Sequence, residues 1–274
     1  MPWSATPSPE FRPLRRVLAL DTSTERLSVA LGEPGTGGAL WVHEGVGGAQ
    51  ASATLLPVIQ SLLQQAGWRL AELDAIAFGC GPGSFTGLRT AAAVVQGLAV
   101  AARPGGLPVL PFNTLLLVAE EARWQLAGRA QPLPARITAL LDARMDEMYV
   151  AHVGLADDAP PVLSGAPWLS APEALQLADG WPESGSGEAP LLAGNALAVY
   201  GERLGAAWQA CPQVLAWPTA TAMLRLAPTA WAAGAAVSAA AAQPLYVRDK
   251  VAQTTEERER AKADKLSRPA GECP

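Results

Sequence analysis

The chain has 274 residues, half of them apolar and 16% charged, a balance that suits one large or two medium, well-buried domains. A net charge of −5 excludes a broad electrostatic surface for nucleic acid, so any RNA involved would find most of its phosphate contacts on another chain. Cys80, Cys211 and Cys273 form no CxxC pair, which argues against a disulfide framework and for a reduced, cytoplasmic setting. No apolar run approaches the roughly 20 residues that span a bilayer, so no membrane partner is expected.

In chain order, residues 1–16 are proline-rich without a signal-peptide core and read as a disordered lead-in. Val17 to Asp21 is an apolar strand ending in an acid, and Leu27 to Leu31 reads as its hairpin partner. A third strand is expected at Ala39 to His43. A helix follows from Ser52 to Ala66, with Leu55, Leu56, Ile59, Leu62 and Leu63 on one stripe. Pro57 falls in its first turns, where proline is best tolerated. Next come a strand at Ala75 to Phe78, a glycine-rich turn, an uncharged helix and a short strand framed by Pro108 and Pro111. Three strands followed by alternating helix and strand predict an α/β fold with a mixed sheet.

The second half begins near Asn113, with a helix to about Ala122 and a strand over Arg136 to Leu141. Asp157 to Pro190 reads as loops with a short helix. Leu191 to Ala193 reads as a strand entering a loop at Gly194 and Asn195. Pro228 to Gly234 and the alanine-rich run after it suggest a C-terminal helix closed by Pro244. These bounds predict lobes at 17–112 and 113–250, with 251–274 a charged, flexible tail.

An internal echo links the halves. LALDTSTERLSVAL, from Leu18, aligns with ALLDARMDEMYVAH, from Ala139. Asp21 falls on Asp142, Glu25 on Asp146, Val29 on Val150 and Ala30 on Ala151. A duplicated fold with a cleft between two related lobes follows from this reading.

The turn GCGPGSFTGLR, with Gly79, Gly81, Gly83 and Gly87, is neither a dinucleotide fingerprint nor a P-loop, and no lysine follows it. It is either an anion cradle at a helix N-terminus or a sharp strand-to-helix turn that needs glycine; the second reading is preferred. Asp21, Thr22, Gly81, Gly83 and Ser84 are the weak cofactor candidates. Ser84 and Thr86 read as helix caps. Asp21 and Thr22 are better read as holding their turn by side-chain to backbone bonds, since Thr22-Ser23-Thr24 lacks glycine. No catalytic residue or metal set is assigned. His43 and His152 lack metal-ligand spacing and read as surface histidines at strand ends, and Cys80 has no evident base.

The helix after the glycine turn carries no charge from Thr90 to Ala102. An apolar-all-round helix must be covered all round. Leu55, Ile59, Leu62 and Leu63 with Ala91, Val94, Val95 and Leu98 are therefore expected to form a seam that a second chain closes as a four-helix bundle.

The DTST hairpin, GPGSFTGLR, the pattern Asp142, Ala143, Arg144, Glu147, Tyr149, and the late PLYVRD from Pro244 to Asp249 together resemble the bacterial TsaB family, also called YeaZ, from about Val17 to Val251. One departure is Ala51-Ser52-Ala53 at the start of the first helix, where relatives often have a histidine. The resemblance implies an α/β, two-lobed, duplicated actin/Hsp70/sugar-kinase-like (ASKHA) fold with mixed sheets. It also implies a non-catalytic scaffold subunit in the formation of N6-threonylcarbamoyladenosine in tRNA next to the anticodon. The implied partners are a TsaD-like catalytic subunit and a TsaE-like ATPase, with tRNA met indirectly through the complex. ATP and Mg²⁺ are expected only in the complex, and a homodimer is possible when the chain is alone. The alternatives are an ATP-dependent phosphotransferase or peptidase-like enzyme of the same superfamily, or a self-associating binding protein.

Overall fold

One strand order occurs twice in the computed structural model, which describes residues 13–35, 37–156, 159–175 and 190–248. The first sheet contains β1 (Val17–Asp21), β2 (Arg26–Gly32), β3 (Leu40–Val46), β4 (Ala75–Gly81) and β5 (Val109–Asn113), ordered β3-β2-β1-β4-β5. β1, β2 and β3 are antiparallel neighbours, whereas β4 and β5 run parallel to β1. The second sheet contains β6 (Arg136–Arg144), β7 (Glu147–Ala156), β8 (Ala159–Leu163), β9 (Trp168–Ser170), β10 (Leu191–Ala193) and β11 (Gln213–Val214). Its order β8-β7-β6-β10-β11, with β9 added on β7, repeats the first sheet in sequence and direction. This is the expected duplicated, two-lobed fold of the actin/Hsp70/sugar-kinase kind, with mixed sheets.

The helices are α1 (Ala51–Ala66), α2 (Phe85–Ala102), α3 (Thr114–Gly128), the short α4 (Ala196–Tyr200) and α5 (Ala206–Gln209), and α6 (Ala220–Ala232). β1 is buried throughout because it alternates between two cores. Leu18 and Leu20 join the core under α1 and α2, while Val17 and Ala19 join the one under α6. A strand covered on both faces reads as a continuous apolar run, and each buried leucine contributes about 1.5–3 kcal/mol. α1 ends at Gly67, whose φ of 65° lets its N–H reach the carbonyls of Leu63 and Gln64. Asn113 caps α3 by accepting from the N–H groups of Leu115 and Leu116.

The C-terminal helix differs from the sequence expectation. α6 starts at Ala220, capped by Thr219, and holds Pro228 in its interior. Proline frees the carbonyl four residues back. That carbonyl, of Leu224, accepts from Gly35 N–H at 3.0 Å, so the β2–β3 loop satisfies the group that Pro228 leaves open. The alanine-rich run beyond is not an α-helix: Val237 pairs with Val109 on the edge of β5, and only one 3₁₀ turn forms, at Ala239–Ala241. Inter-strand hydrogen bonds there outweigh alanine's helical preference. α6 also packs against the first sheet, so the residues after 113 do not form one packing unit.

Residues 159–170 give two strands, β8 and β9, where loops and a helix were expected, because both add to the open edge of β7. Most of the remaining expected segment, 176–189, lies outside the described residues. So do the lead-in through residue 12 and the tail from 249. The last lead-in residues are held in place. Arg15 and Arg16 donate their N–H groups to Asp74 Oδ2 at 2.8 and 2.9 Å, and Leu14 packs against the core under α6.

Candidate functional site

The first hairpin turn and the glycine loop pack directly onto one another. Asp21, 1% exposed at the end of β1, accepts Ser23 N–H at 2.9 Å and Ser23 Oγ–H at 2.7 Å through Oδ1. Its Oδ2 faces Gly79, where an added Cβ would lie 1.9 Å away. Burial pushes the Asp21 carboxyl up to about 7, against the pull of its two Ser23 hydrogen bonds and with a further push from Glu44. Thr22 Oγ1 donates to the Gly87 carbonyl at 2.7 Å, and Ser84 N–H donates to the Ser23 carbonyl at 2.7 Å. A Cβ at Gly87 would sit 1.9 Å from Thr22 O, and one at Gly83 would sit 2.6 Å from Ser23 O. Gly81, with φ 125°, lies against the Leu245 carbonyl. The glycines therefore let two turns and a later segment approach closely.

Asp21, Thr22, Gly81, Gly83 and Ser84 are thus brought together, but chiefly as a packing contact between two turns of the same chain. Asp21 and Thr22 are sealed beneath it, whereas Gly83 and Ser84 lie on the rim of a cleft. Ser84 caps α2 as expected, its side chain accepting from Gly87 N–H. At this turn the residues do not fit a nucleotide's phosphates or its Mg²⁺. Ser23 packs against the glycine loop at Gly83, and the Asp21 carboxyl is buried beside Gly79, away from the cleft.

The cleft, about 430 Å³ in volume, lies between the lobes. Thr24, Glu25, Ser84 and Thr86 line it from the first lobe, Arg144 and Asn195 from the second. Glu25 bridges its back wall, accepting from Asn195 Nδ2 at 3.2 Å and from Trp217 Nε1 at 2.7 Å. Asn195 Oδ1 in turn accepts Asp142 N–H at 3.0 Å. Asp142, the echo of Asp21, accepts from Arg144 N–H and Tyr200 O–H through Oδ1 at 2.8 and 3.0 Å. Arg144, Met145 and Asp146 all have positive φ, 63°, 58° and 61°, a costly run for non-glycine residues. Asn195, Tyr200 and Trp217 were not singled out in the sequence. The one local signal was Asn195 following Gly194 at a strand end.

The histidines divide. His43 is exposed on β3. His152 is not at the surface: it is 5% exposed in β7, its Nδ1 3.1 Å from Thr138 Oγ1 and its ring edge-on to Trp168. Burial, with Arg136 adding repulsion, brings its pKa down to about 4. Burial also pushes the Cys80 thiol up to about 11, the reverse of an activated nucleophile. Among the described residues no three His, Cys, Asp or Glu side chains gather to hold a metal.

The expected partner seam is largely internal. Leu55, Ile59, Leu62, Ala91 and Val95 are at most 3% exposed and belong to the chain's own core, while Leu63, Val94 and Leu98 are half-buried against it. α1 and α2 both spend these side chains on the first sheet. What α1 and α2 present outward is Leu56, Ala93, Gly97 and Val100, the last 68% exposed.

Fold and site define a duplicated, two-lobed α/β protein whose first hairpin turn, after Asp21, is covered by its own glycine loop. Residues 45–163 match the family model described as TsaD: tRNA N6-adenosine threonylcarbamoyltransferase. The chain is 33% identical over 256 residues to the tRNA threonylcarbamoyladenosine biosynthesis protein TsaB of Escherichia coli K12, covering 86% of this chain and 96% of that one. Against the TsaB of Haemophilus influenzae it is 34% identical over 246 residues, covering 86% and 94%. The solved structure of YeaZ from Pseudomonas aeruginosa matches with a TM-score of 0.69 and 37% identity, covering 85% of this chain and 99% of that one. The chain belongs to the TsaB (YeaZ) family of tRNA threonylcarbamoyladenosine biosynthesis proteins.

Proposed function

We propose that this chain is a non-catalytic subunit that pairs with a TsaD-type catalytic subunit, which transfers the threonylcarbamoyl group to tRNA adenosine next to the anticodon. The observation that carries this reading is the stoppered turn. Ser23 and Thr22 pack against Gly83 and Gly87 of the glycine loop, so the chain by itself offers ATP no open phosphate cradle at this turn. The match of residues 45–163 to the TsaD family model supports a pairing of related surfaces. The docking face is the outward side of α1 and α2, centred on Leu56, Ala93, Gly97 and Val100, with half-buried Leu63, Val94 and Leu98 beneath. The TsaE-type ATPase and tRNA are met through that complex, and any ATP and Mg²⁺ are held there.

The test is reconstitution. Alone, the purified chain is expected to form no threonylcarbamoyladenosine. Added to a mixture containing every other component, it is expected to restore modification and to bring down the TsaD-type subunit. Val100→Glu should abolish both while leaving the circular dichroism spectrum unchanged. Product formation by the chain alone would sink the proposal, as would full activity of the folded Val100→Glu variant.

A further inference from the structure

The segment Pro244–Arg248 is unabsorbed by any of these roles, yet it touches both lobes across the mouth of the cleft. Its first half is anchored on the first lobe. Leu245 N–H donates to the Cys80 carbonyl at 2.7 Å. The Tyr246 ring lies 5.4 Å from that of Phe85, and its hydroxyl accepts from Arg89 Nε at 3.0 Å. Just before it, Gln96 Nε2 donates to the Ala242 carbonyl at 2.9 Å. Its second half is anchored on the second lobe. Val247 packs against the core under β6 and β7. Arg248, with a side chain 14% exposed, pairs with Glu147 and reaches the Arg144 carbonyl and Met145 Sδ.

The two anchors differ in kind. On the first lobe the segment is held by a backbone bond and aromatic stacking at the glycine loop. On the second it is held by Val247's apolar packing and by one guanidinium, which braces the left-handed turn Arg144–Asp146. Lobes joined by a modest interface move relative to one another by default, and hinge closure about a cleft is a common form of that motion. We propose that Pro244–Arg248 is a clasp that sets the angle between the lobes, with the Arg248–Glu147 pair as its detachable end. Releasing Arg248 removes the clasp's polar hold on the second hairpin and leaves only Val247's packing there, while Leu245 and Tyr246 stay on the first lobe. What still joins the lobes includes the Glu25–Asn195 hydrogen bond and the charge cluster between α3 and α6, where buried Glu120 takes both Arg123 and Arg225 and Arg225 also holds Glu121. Both tie the lobes without spanning the cleft mouth.

The test is the inter-lobe distance in the full chain. Spin labels at Gln64→Cys and Glu202→Cys, both exposed, one per lobe, would be read by pulsed electron paramagnetic resonance after Cys80→Ala, Cys211→Ala and Cys273→Ala. Arg248→Ala is expected to shift the distribution to longer distances and broaden it. Glu147→Gln, at a more exposed position, should do the same, and it carries the test if Arg248→Ala does not fold. Arg203→Ala breaks two ion pairs wholly within the second lobe, to Asp146 and Glu173, and should leave the distribution unchanged. An unchanged distribution in folded Arg248→Ala or Glu147→Gln would overturn the clasp, and so would equal broadening by Arg203→Ala. The measurement needs no partner, so its outcome is separate from that of the reconstitution.

Discussion

The two lobes share a strand order but treat their first hairpins in opposite ways. In the first lobe the turn after Asp21 is covered by the glycine loop and closed to solvent. In the second lobe the turn after Asp142 stands open, with Arg144, Met145 and Asp146 exposed and held in the left-handed region by Arg203 and Arg248. The acids follow their turns: Asp21 is buried beside Gly79, whereas Asp142 meets Tyr200, Arg144 and the cleft. Duplication preserves topology, because topology rests on apolar strands. The polar turn residues are free to make one lobe a plug and the other a presented edge.

The largest effects should come from the glycines that allow close approach in each lobe. Gly87→Ala would drive a Cβ into the Thr22 carbonyl, and Gly194→Ala into the Leu140 carbonyl at 1.8 Å from a φ of 143°. Each is expected to cost more than about 4 kcal/mol, the range reserved for broken packing of this kind. Urea titration of both variants checks this; a near-neutral Gly87→Ala would mean that the two turns are not interlocked.

Next comes the charge test on the helices of the first lobe. Ile59→Glu and Val95→Glu would bury an unpaired carboxylate in the chain's own core. Each is expected to unfold the protein or cost about 3–5 kcal/mol, whereas exposed Val100→Glu should stay within about 0.5 kcal/mol of wild type. Melting curves separate them. A well-folded Ile59→Glu would place that side chain at a surface after all.

The buried titratable groups of the two lobes should pull stability in opposite directions with pH. Folded Asp21 holds its proton to about pH 7, against an ordinary value of 3.8. Its contribution is therefore full below about pH 4 and is lost as pH rises towards 7. Folded His152 stays neutral down to about pH 4, against 6.5 ordinarily. Its contribution is full above 6.5 and is lost as pH falls towards 4. Each unit of separation is worth about 1.4 kcal/mol, so the two arms oppose one another across this range in the wild type. Asp21→Asn should leave stability rising with pH from about 4 to 6.5, and His152→Phe should leave it falling from about 4 to 7. Denaturation midpoints across that range read the slopes, and parallel slopes in the two variants would contradict the assignment.

The smallest pair compares the turns directly. Thr22→Val removes a buried hydrogen bond to the Gly87 carbonyl, which keeps its own helical partner, at a cost of about 0.5–1.5 kcal/mol. Arg203→Ala removes only half-exposed ion pairs from the second turn and should cost less than about 1 kcal/mol. If Arg203→Ala proved the more damaging, the open turn would be the better-supported one.

Much of the fold could be read directly from the chain. β1, β2, α1 and the strand–turn–α2 unit have strong local periodicity, and the echo between Leu18 and Ala139 announced the repeated hairpin. Local signals were weaker in the second lobe, where β8 and β9 are strands because β7 has an edge for them and α6 carries a proline inside it because Gly35 satisfies Leu224. None of those reasons is local. The site divided in the same way. Motif chemistry brought Asp21, Thr22 and the GPGSFTG residues forward, and the missing lysine and turn glycine argued against a phosphate cradle. Asn195 reaches the cleft, and Tyr200 and Trp217 hold its lining acids Asp142 and Glu25, from distant positions in the chain that carried little or no local pattern.

By itself, then, the sequence determined the apolar strands, the order of elements in the first lobe and the family, because burial patterns and turn chemistry are written in neighbouring residues. Only the tertiary structure decided which side of each helix is spent on the chain's own sheet. An apolar stripe states that a face must be covered and never by what, so Ile59 and Val95 went inward and Val100 stayed out. Only the tertiary structure decided the role of Asp21 as well, since a carboxylate at a strand end is ligand or plug according to what packs over it. Here Asp21 is buried beside Gly79 with Oδ1 hydrogen-bonded to Ser23.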